Sequence, residues 1–416
     1  MNPISAGRLA ECPAADRPDR TLTAQELEAL RRYRYARVQA LLRENDCAAL
    51  LLANPINVRY ATDHRNMTVW LLHNVGRYCL VPAEGPAVLF EYANRNCFDH
   101  VPALPAIGEV RPVTVHSFFD AGDQAEAVSR RWAAEIRELL DRWAGRGRQR
   151  LAVDRPDLRG VDALRAVGLE LVEGQRLMEL ARSMKSAEEI TCMRAALAVA
   201  DIGMQRMREA LRPGMREVEL WAELHHANIA LGGEWIETRL LASGPRTNPW
   251  FQEASDRCIE AGELVSFDTD MVGPYGYCAD VSRTFLCGDA PASGEQRTLH
   301  ALALEQVQTN TALLAPGLSF RDYTARAWTI PARFAAQNYG CIAHGVGMVD
   351  EWPAIYVDLD DPLLQDGVFV PGMTVCVESY IGEVGAAQGV KLEEQVLITA
   401  TGHEILSRFP LEPKLL

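Results

Sequence analysis

Helical periodicity opens the readable part of the chain. Residues 1–22 begin with a run rich in Pro, Ala and charge, expected to be a loose arm. Thr23 is then placed to cap a helix whose Leu27, Leu30, Tyr33, Val38 and Leu41 recur at helical spacing. The apolar run 48–52 predicts a strand, with Asn54-Pro55 as a turn behind it. Runs 80–81 and 87–90, split by Pro82-Ala83-Glu84-Gly85-Pro86, read as a strand pair. Residues 124–144 place Trp132, Ile136, Leu139, Leu140 and Trp143 on one side of a second helix, stopped by Gly145-Arg146-Gly147, and 151–153 returns as a strand. This alternation of helix and strand predicts an α/β domain, assigned to 23–178.

The pattern changes over 179–416. Ser186-Ala187-Glu188-Glu189 predicts a capping box that opens a helix reaching about Leu211, where Pro213-Gly214 ends it; a further helix over 217–231 ends at Gly232-Gly233. These helices are expected to cover one sheet built from strands near 236–242, 264–270, 281–286, 375–379 and 391–398.

Charge breaks this pattern inside 266–288. Asp268, Asp270 and Asp280 stand among apolar and small residues, with no cation until Arg283. A buried carboxylate costs several kcal/mol unless it is paired or bound to a metal. In a hairpin turning at Gly273-Pro274-Tyr275-Gly276, Asp268 and Asp270 would share a face, because side-chain direction repeats every two residues, and Asp280 would meet them from the partner strand. His344, Glu378 and Glu393 follow, both glutamates in strand-like runs. An imidazole with five carboxylates is a hard donor set that suits Mn, Fe, Co or Zn and can bridge two ions about 3.5–4 Å apart.

Composition narrows the function classes. With 416 residues, 48% hydrophobic and 24% charged, the chain has an ordinary globular balance, and its net charge of −14 argues against nucleic acid and anionic membrane surfaces as partners. A small zwitterionic substrate is compatible with that charge. Ten cysteines without a CxxC pair are read as buried free thiols of a reducing compartment. The start of the chain lacks a signal-peptide core and no long apolar run follows, so a cytoplasmic location is expected.

In order along the chain, Asn57 to Tyr60, Arg182-Ser183-Met184-Lys185-Ser186, Asp280-Val281-Ser282-Arg283-Thr284, His344-Gly345-Val346-Gly347 and Gly389-Val390-Lys391-Leu392-Glu393-Glu394 resemble the creatinase, prolidase and aminopeptidase P superfamily. The resemblance implies an α+β fold, a creatinase-like N-terminal α/β domain followed by a C-terminal pita-bread domain with a binuclear metal site, and a homodimer. Departures from the hydrolases stand out. Asp268 and Asp270 lie twelve and ten residues before Asp280, where the hydrolases keep an aspartate eleven before. Residues 241–250 hold no substrate-facing histidine, and Asp350 takes the place of the hydrolases' second histidine.

Those departures resemble one branch, the iron-dependent dimethylsulfoniopropionate (DMSP) lyases of the DddP type, through runs 232–253, 266–270, 344–353 and 391–399. This resemblance implies metal ligands at Asp268, Asp270, Asp280, His344, Glu378 and Glu393, iron as the metal, and cleavage of DMSP to acrylate and dimethyl sulfide. The proton to be removed lies α to a carboxylate and is weakly acidic. Asp350, six residues beyond His344, fits a base beside the metals, and burial against Trp352 is expected to raise its basicity. A sulfonium favours aromatic faces, and the resemblance offers Trp70 and Tyr339. Arg239, Arg246, Tyr277, His225 and His226 are left outside the site. The alternatives are an Xaa-Pro peptidase or other C–N hydrolase, a lyase for another small onium acid, and a non-catalytic binding domain on the same scaffold.

Overall fold

A computed structural model describes residues 21–93, 97–147, 149–360, 363 and 365–416. The expected loose arm lies, apart from Thr21 and Leu22, outside the described residues. The chain divides into two compact units, Thr23–Arg182 and Ser183–Leu416, with Leu22 grouped with the second. Leu22 N–H donates to the Tyr275 hydroxyl at 3.1 Å.

In the first unit, helix Ala24–Glu44 opens on a capping box in which the Thr23 hydroxyl accepts the Glu26 N–H and the Glu26 carboxylate accepts the Thr23 N–H. Strands β1 (Ala49–Leu52), β2 (Tyr78–Pro82), β3 (Ala87–Glu91), β4 (Ile107–Pro112), β5 (Gln149–Val153) and β6 (Leu169–Glu173) form one six-stranded sheet, ordered β4-β3-β2-β1-β5-β6. Helix Ala125–Ala144 buries Trp132, Ile136, Leu139 and Leu140 in one core with Leu51, Leu80 and Phe90 of the sheet. Asn54-Pro55 is not a turn. The Asn54 side chain accepts the Ile56 N–H, and Pro55, with φ already set for a helix, starts helix Pro55–Thr62. Residues that read as a turn in sequence serve here as a cap.

In the second unit, helices Ala187–Ala210 and Glu217–Ala230 form as expected. The strands are β7 (Trp235–Ile236), β8 (Leu241–Ser243), β9 (Leu264–Asp268), β10 (Met271–Val272), β11 (Cys278–Ala279), β12 (Ser282–Leu286), β13 (Cys341–Val346), β14 (Asp350–Tyr356), β15 (Thr374–Ile381), β16 (Val390–Ile398) and β17 (His403–Ile405). They make three sheets rather than the expected one, ordered β11-β10-β7, β12-β9-β8 and β14-β13-β15-β16-β17. The expected continuous strand 264–270 breaks between β9 and β10 because Asp270 adopts a left-handed φ of 36°.

Helix Gly294–Leu313 packs Leu299, Ala303 and Val307 into a core with Val375 and Val377 of β15 and Val390 and Leu392 of β16. Alternation then turns Cys376 and Glu378 of β15, and Lys391, Glu393 and Gln395 of β16, to the opposite face, and all five are buried. The cysteines depart from expectation at Cys97 and Cys258, which are exposed, and at Cys341, which is half-buried; each is at an edge or loop rather than in a core run. No helix among the described residues is long and apolar enough to cross a membrane.

Candidate metal centre

Asp268 ends β9, opposite Ser282 of β12, and Met271 of β10 pairs with Ala279 of β11. Each strand advances three residues between these pairs (271 − 268 and 282 − 279), so Asp270 stands level with Asp280. Asp268 and Asp270 therefore reach one site through a break in the strand, and not by the expected two-residue alternation. Thr238 Oγ donates to Asp270 Oδ2 at 2.5 Å and the Glu237 N–H to the Asp270 carbonyl at 2.9 Å, which holds the left-handed turn. Gln395 Oε1 accepts the Asp280 N–H at 3.1 Å.

His344 lies in β13, where the ladder to β14 shifts register between His344 and Gly345. A Cβ on Gly345 would overlap the backbone of Glu351 and Trp352, and one on Gly347 would overlap the Glu351 carboxylate, so the motif glycines permit this close turn. His344 Nδ1 lies 3.1 Å from the Gly345 carbonyl, which directs Nε2 inward as the donor atom. Nε2 is 3.5 Å from Asp280 Oδ2 and from Glu378 Oε1, and 3.8 Å from Glu393 Oε1. Glu378 and Glu393 are direct cross-strand partners of β15 and β16. The Lys391 ammonium reaches into the same group, 3.2 Å from Asp268 Oδ2 and in a short hydrogen bond to Glu378 Oε2.

Electrostatics mark this cluster as short of positive charge. Burial, reinforced by repulsion among Asp268, Asp270, Asp280, Glu378, Glu393 and Asp350, raises the pKa values of Asp270, Asp280 and Glu393 well above the usual carboxylate range. Burial acts in the same direction on Asp268, but Lys391 and hydrogen bonds outweigh it and hold that group low. Asp268 Oδ1, Asp280 Oδ1 and Glu393 Oε1 are buried without a hydrogen-bond partner. Acceptor-only oxygens left buried and unpartnered are what a cation would satisfy, and the groups Asp280–His344–Cys376–Glu393 and Asp268–Asp270–Asp280 each bring their ligand atoms within 4.8 Å of one another. The donor set fits a divalent metal.

Residues 191–400 match the family model of metallopeptidase family M24. The chain is 41% identical over 401 residues to a dimethylsulfoniopropionate lyase DddP of Roseovarius nubinhibens, an alignment covering 95% of this chain and 89% of the relative. A second DddP, from Roseobacter denitrificans, is 40% identical with the same coverage. The chain belongs to the DddP group of family M24. Among solved structures, a prolidase from Thermococcus sibiricus matches with a TM-score of 0.73 at 22% identity, covering 92% of this chain and 98% of that one, which shows the pita-bread fold.

Around this M24 centre the structure gathers all six expected ligands. Asp350, first residue of β14, stands beside them with Oδ1 3.9 Å from His344 Nδ1. Its side chain is 64% exposed and Trp352 packs on Phe320, with ring centroids 5.4 Å apart, so the expected burial against Trp352 does not occur. The Asp350 pKa is nevertheless raised, by desolvation on the side facing the cluster and by repulsion from Asp268 and Glu378, with His344 opposing. Tyr339 lies beside the centre, its ring centroid 5.3 Å from the Lys391 ammonium. Trp70 is in the other unit, on helix Thr68–His73, with its ring edge-on to Tyr92 at 5.8 Å.

Of the residues left outside, Arg246 pairs with buried Glu217, and Tyr277 donates to Glu189 at 2.8 Å in the core. Sequence reading missed Cys376, Lys391 and Gln395 as members of the site. Counting back two from Glu378, and two either way from Glu393, would have found them. It also missed Lys185, whose ammonium donates at 2.8 Å to Glu351 while Glu351 accepts the Met348 N–H at 3.0 Å, bracing the turn that presents Asp350.

Proposed function

We propose that the chain is a DMSP lyase, cleaving dimethylsulfoniopropionate to acrylate and dimethyl sulfide by β-elimination with Asp350 as the base. The observation that carries this reading is the position of Asp350. Its carboxylate stands next to the ligand cluster, exposed, with no Lys or Arg pairing with it among the described residues. It is therefore free to meet a substrate carbon without being consumed as a ligand.

Two divalent ions held by Asp268, Asp270, Asp280, His344, Glu378 and Glu393, with iron as the metal, would draw charge from the substrate carboxylate and so acidify the proton α to it. Asp350 takes that proton as the Cα–H electron pair forms the new double bond and the Cβ–S bond breaks, its electron pair leaving with sulfur as neutral dimethyl sulfide. Its place at the cluster, unpaired by any Lys or Arg among the described residues, leaves the Asp350 carboxylate available as the base. Tyr339, which lies beside the centre, and Trp70 offer aromatic faces to the sulfonium. A cytoplasmic homodimer completes the reading.

Headspace gas chromatography for dimethyl sulfide, run on metal-analysed protein supplied with DMSP, tests it. The wild type is expected to release dimethyl sulfide, and Asp350→Ala to lose about 10²- to 10⁴-fold in rate at unchanged metal content. A fully active Asp350→Ala variant would remove the base assignment. A fully metallated wild type that releases no dimethyl sulfide would overturn the lyase reading and turn the assay to other onium acids and to Xaa-Pro dipeptides.

A further inference from the structure

Lys391 has no part in the roles assigned so far, yet it is among the least accessible charges in the molecule, with a side chain 0% exposed. Its ammonium touches one oxygen of each of three ligand carboxylates: Asp268 Oδ2 at 3.2 Å, Glu393 Oε2 at 3.6 Å, and Glu378 Oε2 in the short hydrogen bond. It also donates at 2.7 Å to Ser282 Oγ, which in turn donates at 2.9 Å to Glu393 Oε2. The Trp250 and Tyr339 rings stand near it, with centroids at 5.7 and 5.3 Å. The unpartnered oxygens are different ones, Asp268 Oδ1, Glu393 Oε1 and Asp280 Oδ1. The ammonium thus sorts the oxygens of Asp268 and Glu393, holding one and leaving the other for an ion.

We propose that Lys391 is a resident cation of the metal centre: a positioning residue that fills the Asp268–Glu378–Glu393 corner and leaves the remaining oxygens for two divalent ions. The charge count agrees. Five carboxylates and one ammonium sum to −4, which two divalent ions beside a neutral His344 cancel; without the ammonium the same ions leave −1. A neutral centre accepts an anionic substrate carboxylate without net repulsion. This inference rests on the two-ion reading and not on the identity of the substrate.

The test compares thermal melting of the full chain, metal-free and with saturating Mn²⁺, for wild type, Lys391→Met and Lys391→Arg, together with Mn²⁺ loss to EDTA. Metal-free Lys391→Met is expected to melt well below metal-free wild type, whereas the Mn²⁺-loaded pair melt close together, because the ions then supply the missing charge. Lys391→Met should also hold Mn²⁺ at least about tenfold more tightly, since a repelling charge a few Å away is gone. Lys391→Arg should follow the wild type in both readouts. Equal losses with and without Mn²⁺, or a Lys391→Met chain that fails to fold even with Mn²⁺ present, would make Lys391 a packing residue and overturn the proposal. A wild type whose melting ignores Mn²⁺ would overturn the metal reading and this proposal together, while dimethyl sulfide release judges the substrate separately.

Discussion

The two units bury acids in opposite ways. In Thr23–Arg182, burial acts to raise the pKa of Glu91, but hydrogen bonds from His64 and Arg77, at 2.7 and 2.6 Å, outweigh it and hold the group at about 2. Asp63 is likewise lowered against its own burial by Arg34, Arg59 and Arg31. Even Asp154, pushed by burial to about 6, has both oxygens filled by N–H groups of Ala53, Asn54 and Asn57. In Ser183–Leu416, five clustered carboxylates share one lysine and one histidine, and three of their oxygens have no partner. The shortage is confined to this cluster, since the same unit pairs buried Glu217 with Arg246 and Glu351 with Lys185; a chain that neutralises its other buried acids and leaves these short has kept a place for a cation it does not encode.

The strongest way to break this contrast is to remove Asp280. It belongs to two of the three candidate ligand groups among the described residues, so Asp280→Ala leaves only the Asp268–Glu378–Glu393 corner complete. Bound metal should fall to background, and dimethyl sulfide release should drop by more than the about 10–100-fold typical of outer-shell losses. Elemental analysis and headspace gas chromatography check both. Metal retained at the wild-type level would show that the cluster is not the site.

Next in size is Arg77→Met. It leaves the buried Glu91 carboxylate with only His64 and the Tyr92 N–H and should cost about 3–5 kcal/mol in denaturant unfolding. Metal bound per folded chain should not change. A loss of metal that tracks Arg77→Met would mean that the two units do not divide their charges as independently as their hydrogen bonds indicate.

The same contrast predicts opposite responses to pH. Asp270, Asp280 and Glu393 have folded-state pKa values raised above their unfolded ones, so the folded metal-free chain binds more protons than the unfolded one and loses stability as pH rises. His344 is also raised, the carboxylates outweighing the opposing effect of burial, and adds stability that is lost in the same direction. Metal-free protein should therefore melt higher at pH 6 than at pH 8. Metal reverses the sign, because its ligands must shed those protons to bind. Glu91, held at about 2, contributes stability that is lost only as pH falls from the ordinary carboxylate range through that value. Calorimetric scans at both pH values, with and without metal, would expose a centre that behaves like Glu91 instead.

Much of this was legible in the chain, and the failures have a common cause. The candidate ligands could be picked out because each is an acid or histidine in an apolar run, a local signal. Thr23 and Ser186 announced their helices through capping boxes that need only four consecutive residues. Asn54-Pro55 misled because the same side-chain-to-backbone bond that makes a turn also caps a helix. The break at Asp270 was hidden because aspartate only sometimes adopts a left-handed φ, a weaker mark in sequence than glycine. Lys391 escaped attention because a lysine two residues from a ligand reads as solvated surface unless strand alternation is carried through from Glu393.

The smallest effect falls on the unit that keeps its own charges balanced. Trp70 is 38% exposed and touches Tyr92 edge-on, a costly way to display a large ring if packing were its purpose. A cation–π contact is worth about 0.5–2 kcal/mol, so Trp70→Ala should raise KM for DMSP by about 2- to 30-fold with kcat and metal content unchanged. Trp70→Phe, which keeps a π face, should recover part of the loss. A change in melting temperature with KM untouched would assign Trp70 to packing on Tyr92 and leave Thr23–Arg182 with no part in substrate recognition. A KM effect without a change in metal would show that the first unit, although electrically closed, supplies what a carboxylate cluster cannot: an uncharged face for a cation.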